Sequence, residues 1–299
     1  MGRLTAQLAV FRPVLGCSPI HPRTTTKVAL LIHRKAHSIA GPGDSNVTTL
    51  RAGGCSDRGP VRRTNEDALF IDETLGLLIV ADGMGGHAAG EVASRLAVEA
   101  VVGFIRRTHE DPEQSWPYGV DSTLSFNANR LRTAVHLANR RVFREAESHD
   151  DYTGMGTTIV AALVLDNLLS IAHVGDSRMY YASNSELVQL TRDDSWAARV
   201  LVQPAAAASA EPHPMRNVLT NVLGARDSTD IHIQERPIAP GDLFLLCTDG
   251  LHGSLDDKAI QSVLTAQGTA ERTAEALVRT AIERGSRDNV TALVALCAE

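Results

Sequence analysis

Five acidic motifs in this chain each place a carboxylate beside an apolar run. Four pair an aspartate with glycine or asparagine: Asp82-Gly83, Gly175-Asp176, Asp249-Gly250 and Asp288-Asn289. The fifth, Glu66-Asp67, stands directly before the apolar stretch that starts at Ala68. A buried strand does not normally end on a charged carboxylate unless another group binds that charge. The chemistry that these residues favour is therefore cation binding at the ends of strands.

The kind of cation follows from the donor atoms. If the aspartates converge, their charges repel one another unless cations lie among them. All of the candidate donors are oxygens, and no histidine or cysteine is spaced as a partner ligand. We therefore expect Mg²⁺ or Mn²⁺, each ion keeping several waters. The alternative is that the motifs are separate turns and helix caps.

The elements that must position these motifs can be predicted from hydrophobic periodicity. Residues 77–81 form an unbroken apolar run, typical of a strand buried on both faces, and the run ends on Asp82. Apolar residues at helical spacing then predict helices over 88–107 and 122–148. Shorter helices are predicted over 256–266 and 271–284.

The remaining apolar runs predict short strands. They cover residues 50–56, 68–72, 157–165, 168–174, 179–181, 186–190, 231–235, 243–248 and 290–297. Asp166-Asn167 between two of these runs is a hairpin signal, and the Ala- and Pro-rich residues 202–214 are interpreted as a surface flap. Strands grouped in hairpins, with helices between the groups, favour an α+β fold of antiparallel sheets covered by helices.

Charge is distributed unevenly along the 299 residues. The first 51 residues carry seven basic side chains and one acid, whereas the remainder carries 22 Lys and Arg against 34 Asp and Glu, so the net charges are +6 and −12. A body this acidic is a poor nucleic-acid binder, and we expect no such partner. Residues 1–48 contain four prolines and no sustained period. We interpret them as a flexible basic extension before one domain over 49–299.

Cysteine usage and hydropathy bear on where the protein works. The four cysteines are scattered without paired spacing, which argues against a disulfide framework and fits a reducing compartment. No stretch approaches the roughly 18 apolar residues that a membrane span needs. We therefore expect a soluble, cytoplasmic protein that acts as a monomer.

Six motifs in a fixed order give the chain a family resemblance. They are residues 57–59 (Asp-Arg-Gly) with 62–67 (Arg-Arg-Thr-Asn-Glu-Asp), 82–87 (Asp-Gly-Met-Gly-Gly-His), 155–158 (Met-Gly-Thr-Thr), 175–178 (Gly-Asp-Ser-Arg), 249–251 (Asp-Gly-Leu) and 287–291 (Arg-Asp-Asn-Val-Thr). As a set, over about residues 50–298, they resemble the metal-dependent protein phosphatases (PPM, or PP2C-type) in their bacterial form. The resemblance implies two central antiparallel sheets in a sandwich flanked by helices, with a metal cluster at one end.

The resemblance also implies which residues would hold two metals. Asp82 would bridge them, and the Gly83 carbonyl would bind one. Asp249 and Asp288 would bind the other.

Further roles follow by the same resemblance. Asp67 would lie in or next to the metal shell, with Glu66 beside it, and Asp176 matches the position of a third, weaker metal in bacterial members. Arg62 matches the arginine that grips the substrate phosphate. His87 is a candidate substrate contact or proton donor, or it shapes the start of the following helix.

The reaction that the resemblance implies is hydrolysis of phosphoserine and phosphothreonine in proteins. It would proceed by direct attack of a metal-bridging hydroxide on phosphorus, because a water shared by two cations has a lowered pKa. No covalent intermediate is expected. The partners would be phosphorylated proteins, with a bacterial Ser/Thr kinase as the counterpart. Two alternatives remain open: a hydrolase of small phosphoesters and a catalytically silent phospho-binding module.

Overall fold

The structure is a computed structural model that describes part of the chain. The described residues are 30–31, 49–86, 88–111, 115–165, 167–183, 186–200, 215, 218–266 and 268–298. His87, Asp166 and the predicted flap at 202–214 lie outside them, as does the predicted extension apart from Leu30–Leu31. The division of the chain near residue 49 therefore stays a prediction.

The described residues form strands grouped along the chain, with helices between the groups. The strands are β1 Leu30–Leu31, β2 Thr49–Asp57, β3 Asp67–Asp72, β4 Leu77–Met84, β5 Gly156–Thr157, β6 Ile159–Leu165, β7 Leu168–Val174, β8 Arg178–Ala182, β9 Leu187–Gln189, β10 His232–Pro237, β11 Leu243–Cys247 and β12 Val290–Ala298. The helices are α1 Ala89–Glu110, α2 Phe126–Ser148, α3 Trp196–Val200, α4 Asp249–His252, α5 Asp257–Leu264 and α6 Ala270–Glu283.

The described strands form two sheets. One has the order β1-β3-β4-β6-β7-β10, with β5 beside β4, and the other has the order β2-β12-β11-β8-β9. Each pair within the described residues is antiparallel except β1 with β3. The predicted α+β fold built on two antiparallel sheets is confirmed.

The alternation of side chains along β4 shows how the layers are built. Leu77, Ile79 and Ala81 pack in a core with helices α1 and α2. Leu78 and Val80 point the other way and pack against the second sheet, as successive residues of a strand must. The second sheet buries its other face against α5 and α6. The order of layers is therefore helix, sheet, sheet, helix.

Two of the predicted boundaries that are wrong lie next to a helix start, and a side-chain cap explains the first of them. The helix predicted over 122–148 begins at Phe126, because the Ser125 hydroxyl caps it by accepting from the Ala128 backbone N–H at 3.1 Å. Leu124 therefore precedes the helix instead of facing the core from within it. The strand predicted over 243–248 ends at Cys247, and Asp249 begins the short helix α4.

No helix in the described ranges combines the length and the hydrophobicity needed to cross a bilayer.

Candidate active site

The sheet register places the acidic motifs at one end of the sandwich. Asp67 at the start of β3 lies directly opposite Asp82 near the end of β4. In the second sheet, Cys247 at the end of β11 lies opposite Ala292 near the start of β12. In an antiparallel pair, the end of one strand lies beside the start of its neighbour. Residues 66–67, 82, 249 and 288 therefore meet at this end of the sandwich.

One cavity of about 230 Å³ is lined by most of the predicted site residues. Those on its wall are Arg62, Glu66, Asp82, Gly83, Asp176, Asp249 and Asp288. Met84 and Leu219 add an apolar side to the same wall. The volume is several times the roughly 30 Å³ that one water occupies in the liquid, so a phosphoryl group and hydrated cations fit together.

Asp67 lies behind this cavity and not on its wall. Its side chain is buried, and Oδ2 accepts hydrogen bonds from the hydroxyls of Thr248 at 2.9 Å and Thr291 at 2.7 Å. Oδ1 has no hydrogen-bond partner among the described residues. Only Oδ1 is therefore available for a cation, and the predicted role of Asp67 beside the metal shell stays a prediction.

The backbone of Asp82 is fixed by two threonines that follow the second long helix. Its N–H donates to Thr158 Oγ1 at 3.0 Å, and its carbonyl accepts from the Thr157 hydroxyl at 2.8 Å and from the Thr158 N–H at 2.9 Å. Three hydrogen bonds on the backbone of this one residue fix the point from which its carboxylate extends.

Glycines allow α1 to lie directly against the site. The Gly83 N–H donates to the Glu66 carbonyl at 3.1 Å. A Cβ on Gly83 would collide with the Gly90 carbonyl, and a Cβ on Gly90 would collide with the Glu66 carboxylate. The helix can thus begin beside Glu66 only because neither position carries a side chain.

Burial and mutual repulsion raise the pKa values of the clustered carboxyls. Burial is the largest cause at Asp82, whose pKa lies well above its ordinary value, and the charges of the surrounding aspartates raise it further. Burial likewise raises the pKa of Asp67 and of Asp176 to about 7. It also raises the pKa of Asp249 and of Glu66. Such a cluster is stable in its ionised form only if positive charge enters it.

The donor atoms fit Mg²⁺ or Mn²⁺. Asp249 Oδ1, like Asp67 Oδ1, is buried and finds no hydrogen-bond partner within the described part of the chain. In that same part, no three acidic, histidine or cysteine side chains form a group that could hold a metal ion by themselves. Mg²⁺ does not need one, because it is usually bound by one or two carboxylates and keeps several waters. The individual ligand assignments stay predictions.

Arg62 lies on the cavity wall beside the carboxylates. Its Nη2 donates to Asp288 Oδ2 at 2.6 Å, and both side chains are partly exposed. This hydrogen bond is the main reason that the pKa of Arg62 is raised, so the guanidinium stays charged. The predicted phosphate-binding arginine therefore stands at the rim of the acidic cluster with its cationic end inside the cavity.

The carboxylate of Asp176 enters the same cavity from the turn after β7. The Asp176 carbonyl lies 3.1 Å from His252 Nε2, and burial lowers the pKa of this imidazole to about 4, so a neutral ring donates the hydrogen bond. His252 was not a predicted site residue. His252 lies five residues after the end of β11, and nothing in the local sequence indicates this contact, since Asp176 is far away in the chain.

Asn289 also lines this cavity, although the sequence analysis assigned it no role of its own. Its side chain contacts the backbone of residues 58, 64 and 66, which precede it by more than 220 positions. The one available signal was its place in the Arg-Asp-Asn-Val-Thr motif. The second candidate substrate contact, His87, lies outside the described residues.

The chain matches the family model described as protein phosphatase 2C over residues 61–290. It is 36% identical over 250 residues to the serine/threonine protein phosphatase PstP of Mycobacterium tuberculosis, covering 82% of this chain and 45% of PstP. The chain thus spans less than half the length of that relative. It is 33% identical to the serine/threonine phosphatase stp of Listeria monocytogenes, covering 80% of this chain and 92% of that protein.

Solved structures give the same result. The catalytic domain of PstP in complex with two manganese ions aligns with a TM-score of 0.70 at 34% identity, covering 85% of this chain and 100% of that one. The serine/threonine phosphatase Stp1 of Staphylococcus aureus aligns with a TM-score of 0.69 at 32% identity, covering 86% and 99%. These matches confirm the resemblance seen in the six motifs: the chain belongs to the protein phosphatase 2C family.

Proposed function

We propose that this protein is a metal-dependent phosphatase that hydrolyses phosphoserine and phosphothreonine in proteins. The observation that carries the proposal is one open cavity whose wall combines the guanidinium of Arg62 with five carboxylates, those of Glu66, Asp82, Asp176, Asp249 and Asp288. The carboxylates can bind cations, and the one arginine at their rim can bind a phosphate dianion. The names of the relatives support phosphoproteins as the substrate class.

The carboxylates would hold two divalent cations, Mn²⁺ or Mg²⁺. Asp82 would contact both, with the Gly83 carbonyl on one side and Asp249 and Asp288 on the other, while Asp176 would hold a third, weaker cation. When bound, such cations supply an activated water and neutralise charge on the phosphate.

The chain's own residues would orient the ester. Arg62 can turn its planar guanidinium from Asp288 to two phosphate oxygens and bind them with two parallel hydrogen bonds. Because these bonds strengthen as negative charge develops on the oxygens, they favour the transition state over the ground state. A water activated by such cations would supply the nucleophile opposite the leaving serine or threonine oxygen, which would take its proton from solvent. No protein side chain would then serve as the nucleophile.

Features of the cavity favour a peptide over a free phosphate ester. Met84 and Leu219 provide an apolar side next to the charged floor, and an apolar surface can contact the residues that flank a phosphorylated side chain. A Ser/Thr kinase, acting on the same proteins, would be the source of the substrate. We further propose that the protein acts as a monomer, since the site is assembled from one chain.

The test compares substrates and one variant. The Mn²⁺-loaded protein should release phosphate from a phosphothreonine peptide with a much higher kcat/KM than from a nucleoside monophosphate. Asp82→Asn should lower kcat by roughly a hundredfold or more, because metal-ion catalysis supplies several kcal/mol. Circular dichroism should show the variant folded, since the volume is kept. Preference for the nucleotide, or full turnover by the Asn variant at saturating Mn²⁺, would contradict the proposal.

A further inference from the structure

Asn289 ties together the chain segment that carries Arg62. Its Nδ2 donates to the Arg58 carbonyl and to the Thr64 carbonyl, both at 2.9 Å. Its Oδ1 accepts from the Glu66 N–H at 2.8 Å. The hydrogen bonds thus fall on both sides of Arg62, and the side chain that makes them is only 5% exposed.

The same residue is joined to the acidic cluster. The Asn289 N–H donates to Asp288 Oδ1 at 2.8 Å, and Asp288 Oδ2 is the atom that accepts from Arg62. Asn289 therefore holds the backbone on either side of Arg62 with its side chain, and its own N–H holds the aspartate beside that arginine.

A close backbone contact strengthens this link. Gly59 has a φ of +71°, and a Cβ there would collide with the Asp288 carbonyl. The segment that begins at Gly59 consequently lies directly on the backbone of Asp288. The side chain of Arg62 is 54% exposed and is hydrogen-bonded at its tip to Asp288. Its reach into the cavity therefore depends largely on where its backbone is held.

We propose that Asn289 is a positioning residue for phosphate binding: its three side-chain hydrogen bonds fix the distance between Arg62 and the cation-binding aspartates. This inference rests on the proposed function, because it takes Arg62 to be the phosphate contact. Without the amide, the segment from residue 58 to residue 66 loses its common anchor, and the guanidinium no longer meets the phosphate at one defined distance from the cations.

The test is a double-mutant cycle on the full chain with Arg62→Ala and Asn289→Ala. Asn289→Ala should raise KM for a phosphothreonine peptide about tenfold and leave the Mn²⁺ dissociation constant, measured by calorimetry, within about twofold of wild type. In the Arg62→Ala background, the same change should raise KM by less than about twofold, because the group that Asn289 positions is already absent.

Two further variants separate positioning from folding. Asn289→Asp keeps the shape and the acceptor for the Glu66 N–H but loses both donors, so it should also raise KM, even if the alanine variant is too unstable to assay. Asn129→Ala is the matched control, because buried Asn129 likewise donates to several carbonyls and accepts from one N–H, at the start of α2. It should lower the melting temperature and leave KM unchanged.

The outcomes distinguish failure of the phosphate role of Arg62 from failure of the positioning role of Asn289. Normal kinetics in Arg62→Ala would remove the phosphate role on which the inference rests. An impaired Arg62→Ala enzyme together with normal KM in both Asn289 variants would overturn the inference alone. Fully additive effects in the cycle would also overturn it, since Asn289 would then act independently of Arg62.

Discussion

Arg62 stands in an unusual electrostatic position for a single side chain. It is one cation beside five carboxylates, and in this structure its guanidinium is hydrogen-bonded to Asp288. A phosphate dianion that approaches the cavity meets repulsion from every residue on the charged wall except Arg62 and any bound cations. In the proposed function the arginine would therefore have two effects: it would offset that repulsion, and it would fix the orientation of the ester.

Removing Arg62 should damage substrate binding and turnover together. We expect Arg62→Ala to raise KM and lower kcat, with a combined loss of about 2–4 kcal/mol in transition-state stabilisation. Arg62→Lys should recover only part of it, because lysine lacks the planar fork. Mn²⁺ affinity should not fall, since Arg62 competes for Asp288. The neighbouring Arg63→Ala is the control, and steady-state kinetics that are equal in the two alanine variants would contradict this role.

The sequence was sufficient to predict the charged residues on the cavity wall but not the contacts that hold them in place. Each wall carboxylate stands beside an apolar run, a local signal that can be found without a structure. The contacts of Asn289 and His252 join segments far apart in the chain, and a side-chain amide bonded to three backbone groups leaves no periodic trace. Thr158 belongs to the Met-Gly-Thr-Thr motif, but its contact with Asp82 depends on strand register.

At the scale of elements, the packing of α1 on β4 decides where Glu66 lies. We expect Gly90→Ala to displace the Glu66 carboxylate, because the added Cβ would collide with it. Mn²⁺ binding should weaken by about tenfold, in the range for groups that orient metal ligands. Gly86→Ala, just before α1, is the matched control, because an added Cβ there meets nothing within 4 Å. Unchanged Mn²⁺ affinity in Gly90→Ala, measured by calorimetry, would show that Glu66 does not depend on this packing.

Element types could be predicted more reliably than element ends. Apolar runs such as residues 77–81 and 290–297 are strands in the structure because only a buried sheet can cover them on both faces. The helix was predicted to start too early because Leu124 stands at helical spacing although it precedes the cap. Ser125 caps the helix, which therefore begins at Phe126. The parallel pairing of β1 with β3 could not be predicted from hydrophobic periodicity, because the two residues of β1 are too few to show a period.

At the scale of the whole molecule, the acidic cluster makes stability depend on pH in the metal-free protein. Asp176 has a pKa of about 7 in the folded state, against about 3.9 in an unfolded chain. The folded protein therefore holds this proton more tightly. The resulting contribution to stability is complete below about pH 4 and is lost as the pH rises to about 7.

Comparing wild type with a variant that lacks this carboxyl isolates the contribution of Asp176 to the pH dependence of stability. Buried histidines such as His252 contribute equally in both proteins. We expect metal-free Asp176→Asn to gain stability relative to wild type as the pH rises from about 4 to about 7, by at most about 1.4 kcal/mol per pH unit. Urea unfolding of both proteins in EDTA across this range measures the difference. A difference that does not change with pH would show that Asp176 ionises normally.

Phosphate release from a phosphothreonine peptide, before and after removal of divalent cations, tests most directly whether this cavity works through bound metal. Protein stripped with EDTA and transferred to metal-free buffer should release no phosphate above the uncatalysed rate. Titration with Mn²⁺ or Mg²⁺ should restore turnover, and the protein should bind at least two ions with saturation of activity. Undiminished phosphate release by the stripped protein, or no release at saturating Mn²⁺, would contradict a metal-dependent phosphatase.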